Sequence, residues 1–484
     1  MKIVLIRPPE TNRVWAGIPR FFNDGVFLFP PLGIMQIKAY IEKYTLHNVV
    51  IYDSLVHKAD YEAVGYFIKE AVPQVVGIST FTHSLVDVIK TAEIIKKINP
   101  LISVVAGGPH TYTFCEESKS LIDSGYVDYV VLGDGEEVFR QLLYCLENGA
   151  AGHENINGLI YKVKDGTAVK NGGPQFIKDL DTIPFPSRNI ERFKNYYTPA
   201  SSGGLMTTMI ASRGCPYNCK FCNVQKEYRA RSVRNVVDEM EFLNGLGFKE
   251  IFFIDDTFNA TTERVVRLSE EILGRGLKMK WGFKARCDNV NKDMLSIAKQ
   301  AGCFRIHYGA ETGADDGLDS INKRVDLKTV RRALEETKKS GIRTVAYFIV
   351  GCPHEKDKAS ILKTINFAVS LPADFAVFSL LSPYPDAAFY KEGVDKGIFD
   401  KNIWDDFMRC PHSVQNLPTC WDEHFPKEEL LCFLKTAHRR FYYRPKILFN
   451  AILSVQSFRE FTRLIAGGLS LLKLELFYRV KGRL

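Results

Sequence analysis

The sequence predicts an α/β protein made of two parallel-sheet segments in series, followed by a helical C-terminal segment. Two observations carry that prediction. Short apolar runs of strand length alternate with helix-length segments of 3.6-residue periodicity, and the alternation occurs twice, over residues 1–150 and again over 201–400. Strands separated by such connections pair in parallel through right-handed crossovers. At 484 residues the chain is also too long for a single compact domain.

In the first segment the predicted strands are Lys2–Arg7, Asn48–Tyr52, Val75–Ser79, Ser103–Ala106 and Tyr129–Leu132, with helices such as Leu32–Tyr44 and Leu85–Ile98 between them. This is the pattern of a doubly wound parallel sheet, and ligands bind such sheets outside the carboxyl ends of the strands. Those ends carry Arg7-Pro8-Pro9, Ser79-Thr80, Gly107-Gly108-Pro109 and Gly133-Asp134-Gly135-Glu136. Small residues that expose backbone recur along one edge, which suits a large ligand. Arg7-Pro8-Pro9 stands where a dinucleotide-binding sheet would carry G-x-G-x-x-G, so that ligand class is disfavoured.

Residues 151–200 read as a linker with a hairpin, Gly158–Val163 turning at Asp165-Gly166 into Ala168–Lys170, and then an extended Ile183-Pro184-Phe185-Pro186. The second segment offers strands at Thr207–Arg213, Glu250–Ile254, Lys280–Phe283, Arg305–Gly309, Thr344–Val350 and Phe375–Leu380. Six βα repeats predict a partial parallel barrel, with its chemistry at the C-terminal strand ends. Residues 401–484 read as a helical segment rich in aromatics and Arg/Lys.

Composition narrows the function classes. The chain is 46% hydrophobic and 25% charged, as ordinary soluble proteins are. No run of 18 apolar residues predicts a spanning helix, and MKIVLIRPPE reads as a buried strand rather than a signal peptide, so a cytoplasmic location is expected. The net charge of +8 is spread along the chain, which predicts a mixed solvated surface, with an anionic substrate, cofactor or membrane surface as the alternative; no nucleic-acid partner is expected. Eleven cysteines form no regular disulfide framework.

Three of those cysteines stand out. Cys215, Cys219 and Cys222 lie within Arg213-Gly214-Cys215-Pro216-Tyr217-Asn218-Cys219-Lys220-Phe221-Cys222, just after the first strand of the second segment. Gly214 allows a tight turn and Pro216 stiffens it, so three thiolates can converge. Iron–sulfur clusters normally take four cysteines, and a C-x3-C-x2-C triplet without an obvious fourth leaves one iron open to an outside ligand. Buried structural cysteines, or a zinc site with one histidine, are the alternatives, although no histidine lies close by.

The triplet, with Phe221 just before its third cysteine, resembles the signature of the radical SAM superfamily. Further motifs resemble its B12-binding subfamily, which includes anaerobic Mg-protoporphyrin monomethyl ester cyclase-like proteins and class B radical SAM methyltransferases. These are Phe253-Ile254-Asp255-Asp256-Thr257-Phe258, Ala285-Arg286-Cys287, Tyr308-Gly309-Ala310-Glu311-Thr312-Gly313 with Ile321-Asn322-Lys323, Val350-Gly351-Cys352-Pro353-His354-Glu355, and Pro383-Tyr384-Pro385-Asp386. His354 and Asp386 stand where the subfamily usually has glycine. The resemblance implies a radical SAM partial TIM barrel whose cysteines hold a [4Fe–4S] cluster that chelates S-adenosylmethionine. It further implies Phe221 against the adenine, Glu311 hydrogen-bonded to the cofactor, and Asp255 and Arg286 lining the same cavity. From residue type alone, a solvated strand-end cap is the alternative for Asp255.

The first segment resembles the Rossmann-like cobalamin-binding domain that precedes the barrel in that subfamily. The resemblance implies that Pro8, Ser79, Thr80, Gly107, Gly108, Pro109, Gly133, Asp134, Gly135 and Glu136 border the corrinoid. The D-x-H-x-x-G motif that often supplies a lower cobalt ligand is absent; His57 has the wrong spacing and is expected to be a surface or capping residue. A degenerate domain without cofactor is the alternative. Cys287, Cys303 and Cys352 are expected in the core, and Cys410, Cys420 and Cys432 are spaced too widely for a compact loop site. Helical segments over Arg444–Val480 mix apolar and basic residues and read as a cap on the barrel or as a surface touching membrane or a hydrophobic substrate.

The implied activity is C-methylation of an unactivated carbon, using a 5′-deoxyadenosyl radical and methylcobalamin, with an electron donor such as flavodoxin or ferredoxin. Ring closure or oxidation with the same cofactors is the nearest alternative, and a non-catalytic cobalamin or cluster carrier is a second. A small molecule, lipid, tetrapyrrole or peptide would all be admissible substrates.

Overall fold

The computed structural model describes residues 1–12, 28–149, 152–163, 165–188, 193–196, 204–382, 384–409 and 420–445. The expected helices beyond Pro445, together with Pro383 and Cys410, lie outside the described residues. The chain divides into two compact units. The first comprises the described parts of 1–15, 30–195 and 394–418, and the second those of 16–29, 196–393 and 419–484.

The first unit is built on a seven-stranded sheet. Its strands are β1 (Lys2–Arg7), β2 (Asn48–Asp53), β3 (Val75–Ser79), β4 (Ser103–Gly107), β5 (Tyr129–Val131), β6 (Leu159–Lys162) and β7 (Ala168–Asn171), in the order β2-β1-β3-β4-β5-β6-β7. The first five run parallel, as their apolar, β-branched runs predict for strands covered on both faces. The hairpin β6–β7 forms as the sequence predicts, but it serves the sheet rather than linking two segments: β6 pairs antiparallel with β5. On one face Ile3, Leu5, Val75, Val105 and Val131 pack with Ile34 and Ile41 of helix Leu32–Tyr44 and with Val138 and Leu142 of helix Gly135–Glu147. Each such side chain fully removed from water contributes about 1.5–3 kcal/mol. Helix Ile403–Arg409, which the sequence groups with the C-terminal segment, packs in this unit through Trp404, whose ring lies 5.3 Å from Phe114.

The second unit continues with β8 (Met206–Met209), the short ribbon strands β9 (Ser212–Arg213) and β10 (Arg229–Ala230), β11 (Glu250–Phe253), β12 (Lys280–Ala285), β13 (Cys303–Glu311), β14 (Arg343–Val350) and β15 (Phe375–Leu380). Apart from the ribbon these strands form one parallel sheet in chain order, β8-β11-β12-β13-β14-β15, as six successive βα repeats require. Each of the five crossover helices opens on a residue whose side chain accepts a backbone N–H of the first turn: Ser232, Thr261, Asn291, Asp326 and Asp357. A cap of this kind stabilises a helix by about 1 kcal/mol, and it fixes where the chain leaves each strand end.

Alternation along the strands separates two faces. Phe253, Trp281, Phe283 and Tyr308 are fully buried on the helix-covered face, where the Tyr308 hydroxyl lies 2.7 Å from that of Thr337 on helix Leu327–Lys339. Phe252, Lys284, Arg305, His307 and Tyr347 alternate with them and occupy the opposite, inner face of the sheet.

Candidate active site

The cysteine loop is closed at its base. The ribbon pairs Ser212 with Ala230 and Arg213 with Arg229, and the Cys215 N–H donates to the Gln225 carbonyl at 2.7 Å. Gly214 has φ +83°, and a Cβ there would run into the Glu227 carbonyl oxygen, so the turn needs glycine as the sequence implies. Three consecutive residues after β11 hold three points along this stretch. The Asp255 carboxylate accepts the Ala211 N–H at 3.0 Å and the Ser212 hydroxyl at 2.7 Å; Asp256 accepts the Gly214 N–H at 3.1 Å; the Thr257 hydroxyl lies 2.8 Å from the Cys215 sulfur. Further along, Asn322 donates its side-chain N–H to the Asn218 carbonyl at 2.7 Å, and the Lys220 N–H donates to the Ile321 carbonyl at 3.0 Å.

The loop is therefore clamped between the residues that follow β11 and those that follow helix Asp315–Ser320. Its three thiols are each partly exposed and free of disulfides. Burial raises the Cys222 thiol above its ordinary pKa. Two cations, Arg286 and Lys323, stand by the loop; against the cost of burial, Asp288 holds the first in its charged form and Glu311 the second. Among the described residues no group of three or more His, Cys, Asp or Glu side chains gathers tightly enough for a single metal ion. A four-iron cluster spreads its thiolates over separate irons, so it asks for a loop of this kind rather than one coordination sphere. Cys287, Cys303 and Cys352 are buried, and burial pushes the thiols of Cys287 and Cys303 up to about 12, which marks them as core residues.

The other residues singled out by sequence take distinct positions. Asp255 is 1% exposed, so it is no solvated cap; burial raises its pKa to about 6, and its oxygens are spent on the chain ahead of the cysteines. Arg286 lies 3.7 Å over the Tyr217 ring and pairs with Asp288 at 2.8 Å, so the basic position after β12 reaches the cysteine loop. Phe221 is half-buried on the loop. Glu311 closes β13 at a register irregularity with φ +65°, an uncommon conformation for a non-glycine residue that recurs at functional sites. Its carboxylate meets Lys323 Nζ at 2.6 Å, both side chains nearly inaccessible. A Cβ on Gly309 would collide with that pair, which explains the glycine of the motif. His354, where the subfamily has glycine, bridges the hydroxyls of Thr312 at 3.0 Å and Ser320 at 3.1 Å. Asp386 has φ +66°, the backbone conformation that glycine would adopt freely.

In the first unit the strand-end residues fall into two groups. Ser79 is partly exposed at the end of β3, and Gly107 ends β4 with no neighbour nearer to a hypothetical Cβ than Val131 at 3.6 Å, so both leave the edge open. Pro8 is buried just after β1, and Pro109 opens the short helix Pro109–Thr113. Other members are turned to the fold itself. The fully buried Thr80 donates its hydroxyl to the Ile78 carbonyl, Gly108 packs on the Thr80 backbone, and a Cβ on Gly133 would strike the Gln175 backbone. Asp134 accepts the Ile177 N–H at 2.9 Å, Gly135 begins helix Gly135–Glu147, and Glu136 is 3% exposed. His57 stacks on Tyr52 with ring centroids 5.0 Å apart.

Comparison with known proteins agrees with this layout. Residues 209–368 match the radical SAM superfamily and residues 25–143 match the B12 binding domain. The chain is 30% identical to an uncharacterized methyltransferase of Pyrococcus horikoshii, over 95% of this chain and 96% of that one. This chain belongs to the B12-binding radical SAM family. It is a cobalamin-dependent radical SAM enzyme, with a [4Fe–4S] cluster, S-adenosylmethionine and cobalamin as its cofactors. It is also 28% identical to the anaerobic magnesium-protoporphyrin IX monomethyl ester cyclase of Rubrivivax gelatinosus, over 79% of this chain and 70% of the cyclase. The fold of the radical S-adenosylmethionine methyltransferase TsrM from Kitasatospora setae superposes with a TM-score of 0.66 at 18% identity, covering 82% of this chain and 76% of TsrM.

Sequence reasoning missed the inner-face residues Lys284, Arg305, His307 and Tyr347. The available signal was polar residues at alternate positions of strands otherwise apolar, a pattern that a short buried strand does not need.

Proposed function

We propose that this radical SAM enzyme is a methyltransferase that places a methyl group on an unactivated carbon, with Cys215, Cys219 and Cys222 as the cluster ligands. The observation that carries the reading is the clamped cysteine loop with Arg286 and the Glu311–Lys323 pair beside it, in a chain similar over 95% of its length to an uncharacterized methyltransferase. When bound, the cluster and S-adenosylmethionine supply a 5′-deoxyadenosyl radical and the corrinoid supplies the methyl group.

The chain's own residues orient and enclose. Asp255, Asp256 and Thr257 fix the path of the cysteine loop, and Asn322 fixes its middle. Glu311 and Lys323 offer one acceptor and one donor set to an amino-acid head group, each held in place by the other. Phe221 offers an apolar face for a base. In the first unit Ser79 and the glycine edge at Gly107 leave backbone open to a bulky ring. The sequence has no D-x-H-x-x-G motif through which a histidine would be offered to a corrinoid, which supports methyl transfer over purely structural binding.

The experiment needs no substrate. Anaerobically reconstituted protein given cobalamin, S-adenosylmethionine and a strong reductant is expected to form methylcobalamin with stoichiometric S-adenosylhomocysteine, and to release 5′-deoxyadenosine. The likeness to the cyclase favours a second reading, ring closure or oxidation with the same cofactors. Release of 5′-deoxyadenosine without any S-adenosylhomocysteine would select that second reading.

A further inference from the structure

The inner face of the barrel sheet carries a polar set that the cofactor site does not use. Lys284 of β12 and His307 of β13 are direct register partners, so their side chains stand beside each other on that face. His307 Nδ1 lies 2.8 Å from the Tyr347 hydroxyl on β14, while its Nε2 is buried without a hydrogen-bond partner. His307 is 6% exposed, and its ring tilts against Phe252 at 4.5 Å between centroids. Burial, reinforced by Arg305 and Lys284, drives its pKa well down, so the imidazole is neutral and one ring nitrogen is left over.

Lys284 differs from its surroundings. Its side chain is exposed to solvent while its neighbours along β12, Phe283 and Ala285, are buried. It forms no ion pair among the described residues. The nearest carboxylates, Asp255 and Asp256, are already engaged by Ala211, Ser212 and Gly214. Arg305, 1% exposed below His307, adds a second cation, paired among the described residues with Glu250 at 3.8 Å. A buried polar atom without a partner costs about 1–3 kcal/mol. An unpaired cation exposed beside the partly exposed Tyr347 hydroxyl calls for an anion that both can meet.

We propose that Lys284, with His307 and Tyr347, forms a subsite for an acidic group of the substrate, a carboxylate or a phosphoryl group. Lys284 supplies the charge, the Tyr347 hydroxyl, held by His307 Nδ1, donates a hydrogen bond, and Phe252 walls the apolar side. The inference rests on the enzymatic reading above and names the substrate class for the same barrel: a molecule with an acidic group set apart from the carbon that reacts. Clefts lined by one sign of charge concentrate the opposite ion about tenfold or more.

Pyridoxal 5′-phosphate with borohydride tests this on the full-length reconstituted protein. The aldehyde condenses with a lysine amine, releasing water, and hydride reduces the imine to a stable secondary amine that peptide mass spectrometry locates. The expected result is labelling of Lys284 by pyridoxal 5′-phosphate about tenfold faster than by pyridoxal, suppressed by inorganic phosphate and not by S-adenosylmethionine, with that advantage reduced in His307→Leu. Equal labelling by the two reagents, or no labelling of Lys284 by either, would overturn the subsite. Protection by S-adenosylmethionine but not by phosphate would assign Lys284 to the cofactor and overturn it equally. Release of 5′-deoxyadenosine by the same preparation reports separately on the enzymatic reading.

Discussion

The two units present their candidate cofactor edges in opposite ways. In the barrel unit, side chains do the positioning: Asp255, Asp256, Thr257 and Asn322 reach across to hold the cysteine loop, and Lys323 holds Glu311. In the first unit the equivalent strand ends are glycines and backbone, and the polar side chains nearby, Thr80 and Asp134, are consumed by their own fold. A cluster held by covalent bonds demands residue identity. A corrinoid that lies along a sheet edge demands room. Substitutions should therefore act sharply in the barrel and mildly at the sheet edge.

The largest expected effect is on the thiols themselves. Cys215→Ala/Cys219→Ala/Cys222→Ala protein should lose its reconstituted iron and sulfide and release no 5′-deoxyadenosine, with cobalamin binding unchanged. Stoichiometric iron in that variant would remove the ligand assignment and the comparison with it. Next comes the buried pair. Lys323→Met leaves Glu311 buried and unpaired, which should cost about 3–5 kcal/mol in denaturant unfolding. Lys323→Met/Glu311→Leu should recover most of that stability while still failing to cleave S-adenosylmethionine, separating packing from function.

Asp255 gives a pH test. Its pKa is raised from 3.8 to about 6, so between those values the folded protein holds a proton that the unfolded chain has released. The stability it contributes is therefore present below the unfolded value and is lost as pH rises through the folded one, by on the order of 3 kcal/mol. Glu355, raised by burial to about 7, extends the same downward slope. Asp255→Asn should flatten the part between pH 4 and 6 in urea titrations and leave the Glu355 part in place. The smallest effect belongs to the sheet edge. Ser79→Ala should weaken cobalamin binding, measured by equilibrium dialysis, by about fivefold, one hydrogen bond's worth. A loss of a hundredfold there would show that the edge is built from side chains after all.

What the sequence made legible follows the same division. Helices Leu32–Tyr44 and Leu85–Ile98 and strand Phe375–Leu380 form at the predicted residues, because apolar periodicity is a local property. Gly214 was readable because a left-handed turn between a strand and three thiols has few other solutions. The place of the hairpin was not readable: β6 reaches β5 through long-range pairing, which the spacing of its turn does not encode. Nor was the partner of Glu311, since Lys323 reaches it only after an intervening helix, Asp315–Ser320, brings it back. Asp255 reads from sequence as either a cap or a cavity wall, and its burial, which settles that it is no solvated cap, depends on strands 44 residues apart in register.

The hairpin has one more consequence, for how copies of this chain meet. A parallel sheet ending at β5 would present three residues of unpaired backbone beside the open strand ends. With β6 and β7 added, that border becomes a four-residue strand carrying Lys170, which is itself tied to Glu116. A short edge with a charged side chain is a poor template for another strand. The first unit thus closes its sheet on that side with a short, charged edge that disfavours pairing with a further strand.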